Sequence, residues 1–352
     1  MTVTLLLLGH ALLLATVGTA ALRRAGWPSR APRLAVAAWL GMSASIVGSV
    51  VLAGLTATSA AVRAGVAPGR CYGPVHWPCA PDALSEMGVL AAAGAVAALA
   101  LTTRTAWCLL AEFRAAARER GRRLDALTLV GHADARLGVT VVDHATATVY
   151  CVPGRRSRIV VTSGALAALD DAQLSAVLAH ERAHLRQRHH LALTTSRALV
   201  RAFGPLPAFT AATDQIAFLV ELAADDAAAR RTGRLTVAES LLTLSEAVPI
   251  GTPAPVLAAG GTATGARARR LITGTRPLGP ARTLLGLTVA AAVLTAPLAA
   301  AGPVITTTVA CCGPSPTTGH VLCAPQCPVQ TARRALDPDR ALAPGTHPHQ
   351  AT

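Results

Sequence analysis

Two histidines and a glutamate in the stretch His180–His184 have the residue types and the spacing that metal-assisted hydrolysis requires. In an α-helix, His180 and His184 lie one turn apart, so both imidazoles project from the same face and can bind one Zn²⁺. Glu181 lies about 100° further round the helix. From there its carboxylate can take a proton from water without being a metal ligand. The sequence therefore predicts a zinc site with Glu181 as the catalytic base.

How strongly this pattern indicates a metal site depends on its context, because five-residue patterns also arise by chance in long chains. H-E-x-x-H on a helix is the arrangement of zinc peptidases. Asp170 and Gln173 have the spacing of a helix-capping box, which predicts a helix start just before the pattern. Apolar residues then recur at helical spacing, namely Leu174, Val177, Leu178 and Leu185. A helix at this position favours the metal site.

A third ligand must come from further along the chain, and His190 is the first candidate. It follows His180 by ten residues, the interval of the pattern H-E-x-x-H-x-x-G-x-x-H. That pattern needs a glycine at position 187, where this chain has Gln187, a good helix former. On a continuing helix His190 points away from His184. With Arg188 and His189, it is predicted to belong to a polar helix face.

Glu221 and Asp225 are the second candidate, again an i, i+4 pair on a predicted helix. Glu221 would complete a two-histidine, one-glutamate site. Asp225, one turn further on, would accept a hydrogen bond from the outer nitrogen of a ligating histidine, as zinc sites usually require. The alternative is that both acids neutralise Arg230 and Arg231. The ligand hypothesis also explains why acids interrupt an apolar, alanine-rich helix.

The elements around this site are predicted to be mixed. Short β-rich runs precede the helix, and we predict strands in "LDALTLV" (Leu124–Val130), "VTVVD", "ATATVYCV" and "RSRIVVTSGAL". Further on, "PIGTPAPVLAAGGTATG" (Pro249–Gly265) is predicted to be a flexible linker. The group that stabilises the oxyanion is not identified by any motif; Tyr150, His189 and Arg230 are candidates.

The composition indicates a membrane protein. Hydrophobic residues make up 52% of the 352 residues and charged residues only 14%, whereas a soluble domain usually carries about 25% charged residues. Four runs have the length of about 20 apolar residues that a membrane crossing needs. The approximate bounds of these runs are Val3–Leu22, Leu34–Ala60, Gly88–Arg104 and Thr283–Gly302.

The arginines orient these four runs. They cluster between the first and second runs, after the third and before the fourth, and they are sparse elsewhere. Cytoplasmic loops carry such an excess of basic residues. The chain is therefore predicted to be multi-pass in the cell membrane, with both termini outside and residues 111–282 in the cytoplasm. The net charge of +14 follows from these flanks, and we predict no direct nucleic-acid binding.

Six of the eight cysteines fall in segments predicted to lie outside the cell, where disulfides persist. A second zinc site is the alternative, but the adjacent pair Cys311 and Cys312 fits zinc-ligand spacing poorly. The sequence favours disulfides among Cys71, Cys79, Cys311, Cys312, Cys323 and Cys327. Cys108 and Cys151 lie on the predicted cytoplasmic side and are expected to be free.

Together, "VVTSGALAALDDAQLSAVLAHERAHLRQRHH", "FGPLPAF" and "ELAADDAA" resemble the BlaR/MecR-type family of integral-membrane zinc metallopeptidases, which are related to the HtpX-type and CAAX-type membrane proteases. The resemblance implies zinc on His180, His184 and Glu221, Glu181 as the base, and Asp225 behind a ligand. It also implies an endopeptidase that cleaves a cytosolic transcriptional repressor after an external signal. About fifty residues follow the last run, without the penicillin-binding sensor domain of antibiotic-sensing members.

We therefore predict a mainly α membrane protein with a cytoplasmic α+β gluzincin-like metallopeptidase domain that binds one Zn²⁺ per chain. Residues 1–110 would form three membrane helices with an outer loop at 61–87. Residues 111–282 would form the peptidase domain, residues 283–302 the fourth membrane helix, and residues 303–352 a largely disordered outer tail. The partners would be the membrane and a protein or peptide substrate. Broad-specificity quality control and a non-catalytic membrane receptor are the alternative functions.

Reporter fusions test this topology. A reporter that is active only in the cytoplasm should be active when joined after Asp125, because the arginine clusters fix the cytoplasmic side. A reporter that is active only outside the cell should be active when joined after Pro344. An external signal at Asp125 would contradict a cytoplasmic site.

Overall fold

The computed structural model describes residues 2–65, 86–154, 157–247, 254–274, 276 and 278–311. These residues form helices α1 Thr2–Leu13, α2 Thr19–Arg24, α3 Pro32–Gly65, α4 Glu86–Val130, α5 Ser163–Ala168, α6 Asp171–Arg186, α7 His189–Phe203, α8 Pro207–Thr232, α9 Arg234–Glu246, α10 Ala254–Thr273 and α11 Pro280–Cys311. The strands are β1 Gly131–Asp134, β2 Val139–Val142, β3 Val149–Val152 and β4 Arg158–Thr162. A π-helical segment, Leu14–Gly18, joins α1 to α2.

Four helical segments in the described ranges are long and apolar enough to cross a membrane: Thr2–Arg24, Pro32–Ala60, Val89–Val130 and Pro280–Val304. Each predicted membrane run falls on one of them. The chain is thus a largely helical protein with several helices that suit a bilayer. The direction in which each helix crosses stays a prediction.

Helix α3 holds the apolar helices together. Its Ser45 hydroxyl donates to the Val293 carbonyl of α11 at 2.7 Å and lies 3.2 Å from His10 Nε2 of α1. On its far half, α3 crosses α4 so closely that a Cβ added to Gly54 would lie 2.8 Å from the Gly94 carbonyl oxygen. Small residues allow such close backbone contact between membrane helices.

The four strands form one sheet in the order β1-β2-β4-β3. The pair β2 and β4 is parallel, whereas β1 and β3 run antiparallel to their neighbours. Apolar residues of β2 and β4 pack on α6 through Leu174, Val177 and Leu178. Strand β3 is an edge of the sheet and contacts α6. Helix α6 therefore packs on one face of the sheet and lies next to its β3 edge.

Two local predictions were wrong. Leu124–Val130 is not a strand but the end of α4, where Leu127 packs under Val152 and Val160. Extension of an existing long helix costs little compared with starting a new element, so local β-propensity was overridden. The predicted linker Pro249–Gly265 is helical from Ala254 onward; its residues 249–253 lie outside the described ranges.

Helix α8 connects the apolar helices to the rest of the chain. Its first half packs on α3 through Ile216, Leu219 and Trp39. Its second half packs on α6 and α9. Helix α4 is continuous across residues 110 and 111, the position of the predicted domain boundary. Helices α8 and α4 therefore both connect the apolar helices to the region that contains the sheet.

The predicted disulfides lie largely outside the described residues. The described part of the chain does not include the side chain of Cys311, nor Cys71, Cys79, Cys312, Cys323 and Cys327. Their pairing stays a prediction. Cys108 and Cys151 have free thiols.

The α3–α4 crossing gives a stability prediction. Gly54→Ala should destabilise the protein by about 1–3 kcal/mol, because the new methyl group meets backbone and the helices must separate. Gly48→Ala, on the same helix with open space around the added atom, is the matched control. Thermal unfolding in detergent checks both; equal melting temperatures would contradict the close crossing.

Candidate metal centre

The start of α6 is fixed by a capping box. The Gln173 backbone N–H donates to Asp170 Oδ1 at 2.8 Å, and the Gln173 side chain accepts from the Asp170 backbone N–H at 3.3 Å. The sequence predicted this pair, and the structure confirms it. Ten residues after the cap, His180 lies on the buried face of α6.

His180, His184 and Glu221 point their ligand atoms at one spot between α6 and α8. The two Nε2 atoms are 3.0 Å apart. Glu221 Oε2 lies 3.4 Å from His180 Nε2, and Glu221 Oε1 lies 3.5 Å from His184 Nε2. Zinc bonds of about 2.1 Å in tetrahedral geometry separate two ligand atoms by about 3.4 Å. These three residues therefore fit a zinc ion.

Behind His180, a buried ion cluster occupies the space between α8 and α10. Asp225 has no exposed surface, and its Oδ1 lies 3.0 Å from His180 Nδ1. Arg267 donates to the same carboxylate twice, at 2.7 and 2.8 Å. It also lies 3.1 Å from Glu221 Oε2. One guanidinium thus holds both the proposed glutamate ligand and the carboxylate behind the histidine.

Behind His184, a chain of polar groups defines which nitrogen carries a proton. Arg33 Nε donates to Gln187 Oε1 at 2.8 Å, which orients the amide with its oxygen inward. The same oxygen accepts from His189 Nε2 at 3.1 Å, so His189 Nδ1 carries no proton. That atom lies 2.9 Å from His184 Nδ1 and accepts a hydrogen bond from its N–H. His184 Nε2 is left with a free lone pair directed at the metal spot.

The turn between α6 and α7 makes this chain possible. Arg188 has a left-handed backbone (φ 52°), so α6 ends and α7 begins at His189. The predicted continuous helix is therefore wrong. His189 is buried against His184 and does not lie on a polar face. His190 lines the same cavity, but it is not among the three converging ligands.

The charges at the spot favour a cation. Burial lowers the pKa of His184 and of His189 to about 4, so both are neutral at pH 7. Burial acts the same way on His180, but the carboxylates of Asp225 and Glu221 outweigh it and raise the pKa of His180 to about 9. Burial raises the pKa of Glu221, yet His180 and Arg267 bring it down to about 2. The ionised Glu221 faces both imidazoles, and a bound metal ion would replace the proton that the two carboxylates otherwise hold on His180.

Glu181 lies beside the three converging ligands in a cavity of about 270 Å³, which is also lined by Tyr150, Cys151 and Pro153. Burial raises the pKa of Glu181, against the opposing influence of His180 and of Cys151. A glutamate with a raised pKa is suited to accept a proton and return it near neutral pH. Its position next to the metal spot, and not within it, agrees with that role.

Arg267 is the site residue that sequence analysis missed. Its arginine cluster was assigned to a membrane flank. The signal was present: Asp225 and Asp226 are adjacent on α8, and Arg267 and Arg270 are three apart on α10, so two pairs can form. Arg270 donates to Asp226 at 2.7 and 3.0 Å.

The alternative in which Glu221 and Asp225 neutralise Arg230 and Arg231 is wrong. Among the oxyanion candidates, Tyr150 and His189 line the cavity, whereas Arg230 lines another.

Comparison with known proteins agrees with this geometry. Residues 122–248 match the model of Peptidase family M48. A stretch of 50 residues is 44% identical to a protein of Acidiphilium cryptum (strain JF-5) described as "Protease HtpX homolog", covering 14% of this chain and 17% of that protein. No solved structure matches. The family model covers about a third of the chain, so the two matches support an M48-type peptidase region within it. Neither tests the finer BlaR/MecR-type resemblance.

Removal of a ligand should remove the metal. We expect purified protein to hold about one zinc per chain and His184→Ala to lose it, because two remaining ligands seldom retain zinc. Glu221→Ala should behave alike. His190→Ala, in the same cavity, should keep the metal. Elemental analysis checks all three. A zinc-free His190→Ala beside a zinc-loaded Glu221→Ala would show that His190 is the ligand.

The polar chain behind His184 gives a second prediction. Gln187→Met keeps the size of the side chain but removes the acceptor that orients His189. Zinc affinity should fall about 10-fold or more, as for other groups that orient a ligand. Competition with a chelator measures it. Arg186→Met, which removes a neighbouring exposed cation outside the chain of contacts, is the control. An unchanged affinity in Gln187→Met would contradict the role of this chain.

Proposed function

We propose that this protein is a membrane-bound zinc endopeptidase that hydrolyses peptide bonds with Glu181 as the base. The observation that carries the proposal is the convergence of His180, His184 and Glu221 at zinc-compatible distances, with the Glu181 carboxylate in the same cavity. The match to Peptidase family M48 over residues 122–248 supports it.

Each side chain has a distinct role in this proposal. His180, His184 and Glu221 would hold a zinc ion, which would supply Lewis acidity and lower the pKa of a water molecule. Asp225 orients His180, and His189 orients His184. Glu181 accepts the proton of the attacking water and donates it to the leaving amine. Its burial raises the pKa of the carboxyl group, which suits it to both transfers.

The edge strand β3 supports a peptide as the substrate. Tyr150 and Cys151 of this strand, and Pro153 just after it, line the cavity with Glu181. An edge strand offers unpaired backbone groups, and an extended peptide can add to it as a further strand. That arrangement would deliver a backbone amide, and not a side chain, to the cavity.

The substrate we propose is a cytosolic regulator, such as a transcriptional repressor, cleaved after an external signal. The arginine-rich flanks support a cytoplasmic site in the cell membrane, and the regulator is what the resemblance of the sequence motifs to the BlaR/MecR type implies. Zinc-dependent quality control with broad specificity would use the same residues. A non-catalytic receptor would not require Glu181, so the presence of this base favours catalysis.

Glu181→Gln separates catalysis from metal binding. Glutamine has nearly the same shape but cannot accept a proton at neutral pH, so the rate should fall about 10²–10⁴-fold while zinc is retained. Peptide hydrolysis and zinc content are measured on the same samples. Full activity in the zinc-loaded variant would contradict the proposed base.

Proteomic comparison of cells with the wild type and with Glu181→Gln addresses the substrate. If the enzyme cleaves a regulator, one protein or a few should accumulate in cells with the variant. Accumulation of many damaged membrane proteins would instead support quality control.

A further inference from the structure

A long apolar groove lies between the segment α1–α2, helix α3 and helix α11. Its volume is about 630 Å³. Apolar side chains of all three segments line it, including Leu14, Leu22, Leu34, Met42, Leu285 and Val293. We call this cavity the interspan groove. It is separate from the candidate metal centre, with which it shares no lining residue.

The length of the interspan groove corresponds to one leaflet of a bilayer. On α3 its lining extends from Leu34 to Met42, and Arg30 lies just before that helix. On α11 the lining extends from Arg282 to Val293, and the eleven helical steps between them rise about 16 Å. Half of the hydrocarbon core of a bilayer is about 15 Å thick. The groove thus runs from one end of the apolar helices to about the depth at which a phospholipid acyl chain ends.

Two arginines stand at the mouth of the groove. Arg30 precedes α3 and Arg282 opens α11. Gly286 of α11 lies against Leu34 and Val293 against Ser45, so the two helices run in the same direction and begin at the same end. Both guanidiniums are exposed, and neither forms an ion pair with a carboxylate within the described part of the chain. The lining contains no Asp or Glu. Trp27, also at the mouth, is a residue type enriched at the membrane interface.

The loop that carries Arg30 is held in place by the rest of the structure. Arg270 donates to the Ser29 carbonyl through Nε at 3.0 Å and through Nη2 at 2.7 Å. The same guanidinium binds Asp226 of α8. The backbone at Arg30 is therefore held next to the groove before any ligand arrives, which leaves less conformational freedom to be lost when an anion binds there.

We propose that the interspan groove binds one anionic phospholipid of the leaflet on the arginine-rich side. An acyl chain lies along Leu22, Leu34 and Met42, and the phosphate lies between Arg30 and Arg282. Basic pockets between membrane helices recognise anionic headgroups in this way. A second copy of this chain would bring its own arginine-rich end to the same level, and the like charges would repel. The uncompensated positive charge thus favours a lipid over a second copy.

Native mass spectrometry of the full chain in mild detergent, with phosphatidylglycerol or phosphatidylcholine added, tests this site. We expect one phosphatidylglycerol to be retained per chain and phosphatidylcholine to bind much more weakly. The double variant R30Q/R282Q should bind phosphatidylglycerol about thirtyfold more weakly, since one arginine near an anionic surface contributes about fivefold. Arg23→Gln with Arg24→Gln, at the same end but outside the groove, should bind like the wild type.

A second pair of variants tests the apolar part without a change of charge. Ala290→Trp fills the groove and should abolish retention, whereas Ala291→Trp, one residue further on α11 and not in the lining, should not. Equal retention of both lipids, or unchanged binding in R30Q/R282Q, would overturn the proposal. A dimer that Ala290→Trp dissociates, without bound lipid in the wild type, would show that a second copy occupies the groove. None of these measurements requires hydrolysis, so they are independent of the proposed function.

Discussion

The buried carboxylate of Asp225 is the constraint on which the metal centre depends. A carboxylate with no exposed surface is stable only when other groups compensate its charge. Two groups do so here: Arg267, through two hydrogen bonds, and the His180 ring. They come from α10 and α6, while Asp225 itself belongs to α8. Compensation of one charge therefore fixes three helices relative to each other, and with them the positions of His180 and Glu221.

A second set of contacts links the centre to the apolar helices. Arg33 stands in the first turn of α3, and its guanidinium orients Gln187, which orients His189 and then His184. Helix α8 makes the same connection through packing, because its first half contacts α3 and its second half carries Glu221 and Asp225. The geometry of the ligands is thus coupled to the start of a candidate membrane helix. A soluble fragment that lacks α3 would lose both connections.

Sequence analysis identified the residues that meet at this centre because their signals are local. The capping box of α6 and the i, i+4 pairs His180/His184 and Glu221/Asp225 depend only on helix geometry. The contacts that Arg267 and His189 make at the centre were not predicted, because they depend on tertiary structure. Arg267 acts across 42 residues of chain. His189 reaches His184 only because Arg188 adopts a left-handed backbone, which costs about 1–2 kcal/mol for a residue with a side chain and has no sequence signal here. The membrane helices were predictable from hydropathy, but the end of α4 was not, since Leu124–Val130 has strand-forming residues in a helical continuation.

Zinc K-edge X-ray absorption on the purified, zinc-loaded full chain tests the central claim most directly. The geometry predicts two imidazole nitrogens at about 2.0–2.1 Å and oxygen in the remaining positions, with no sulfur. His189→Ala should give the same number of imidazoles, because His189 contacts a ligand and not the metal. A third imidazole in the wild type, or a spectrum without histidine, would contradict a centre built from His180, His184 and Glu221.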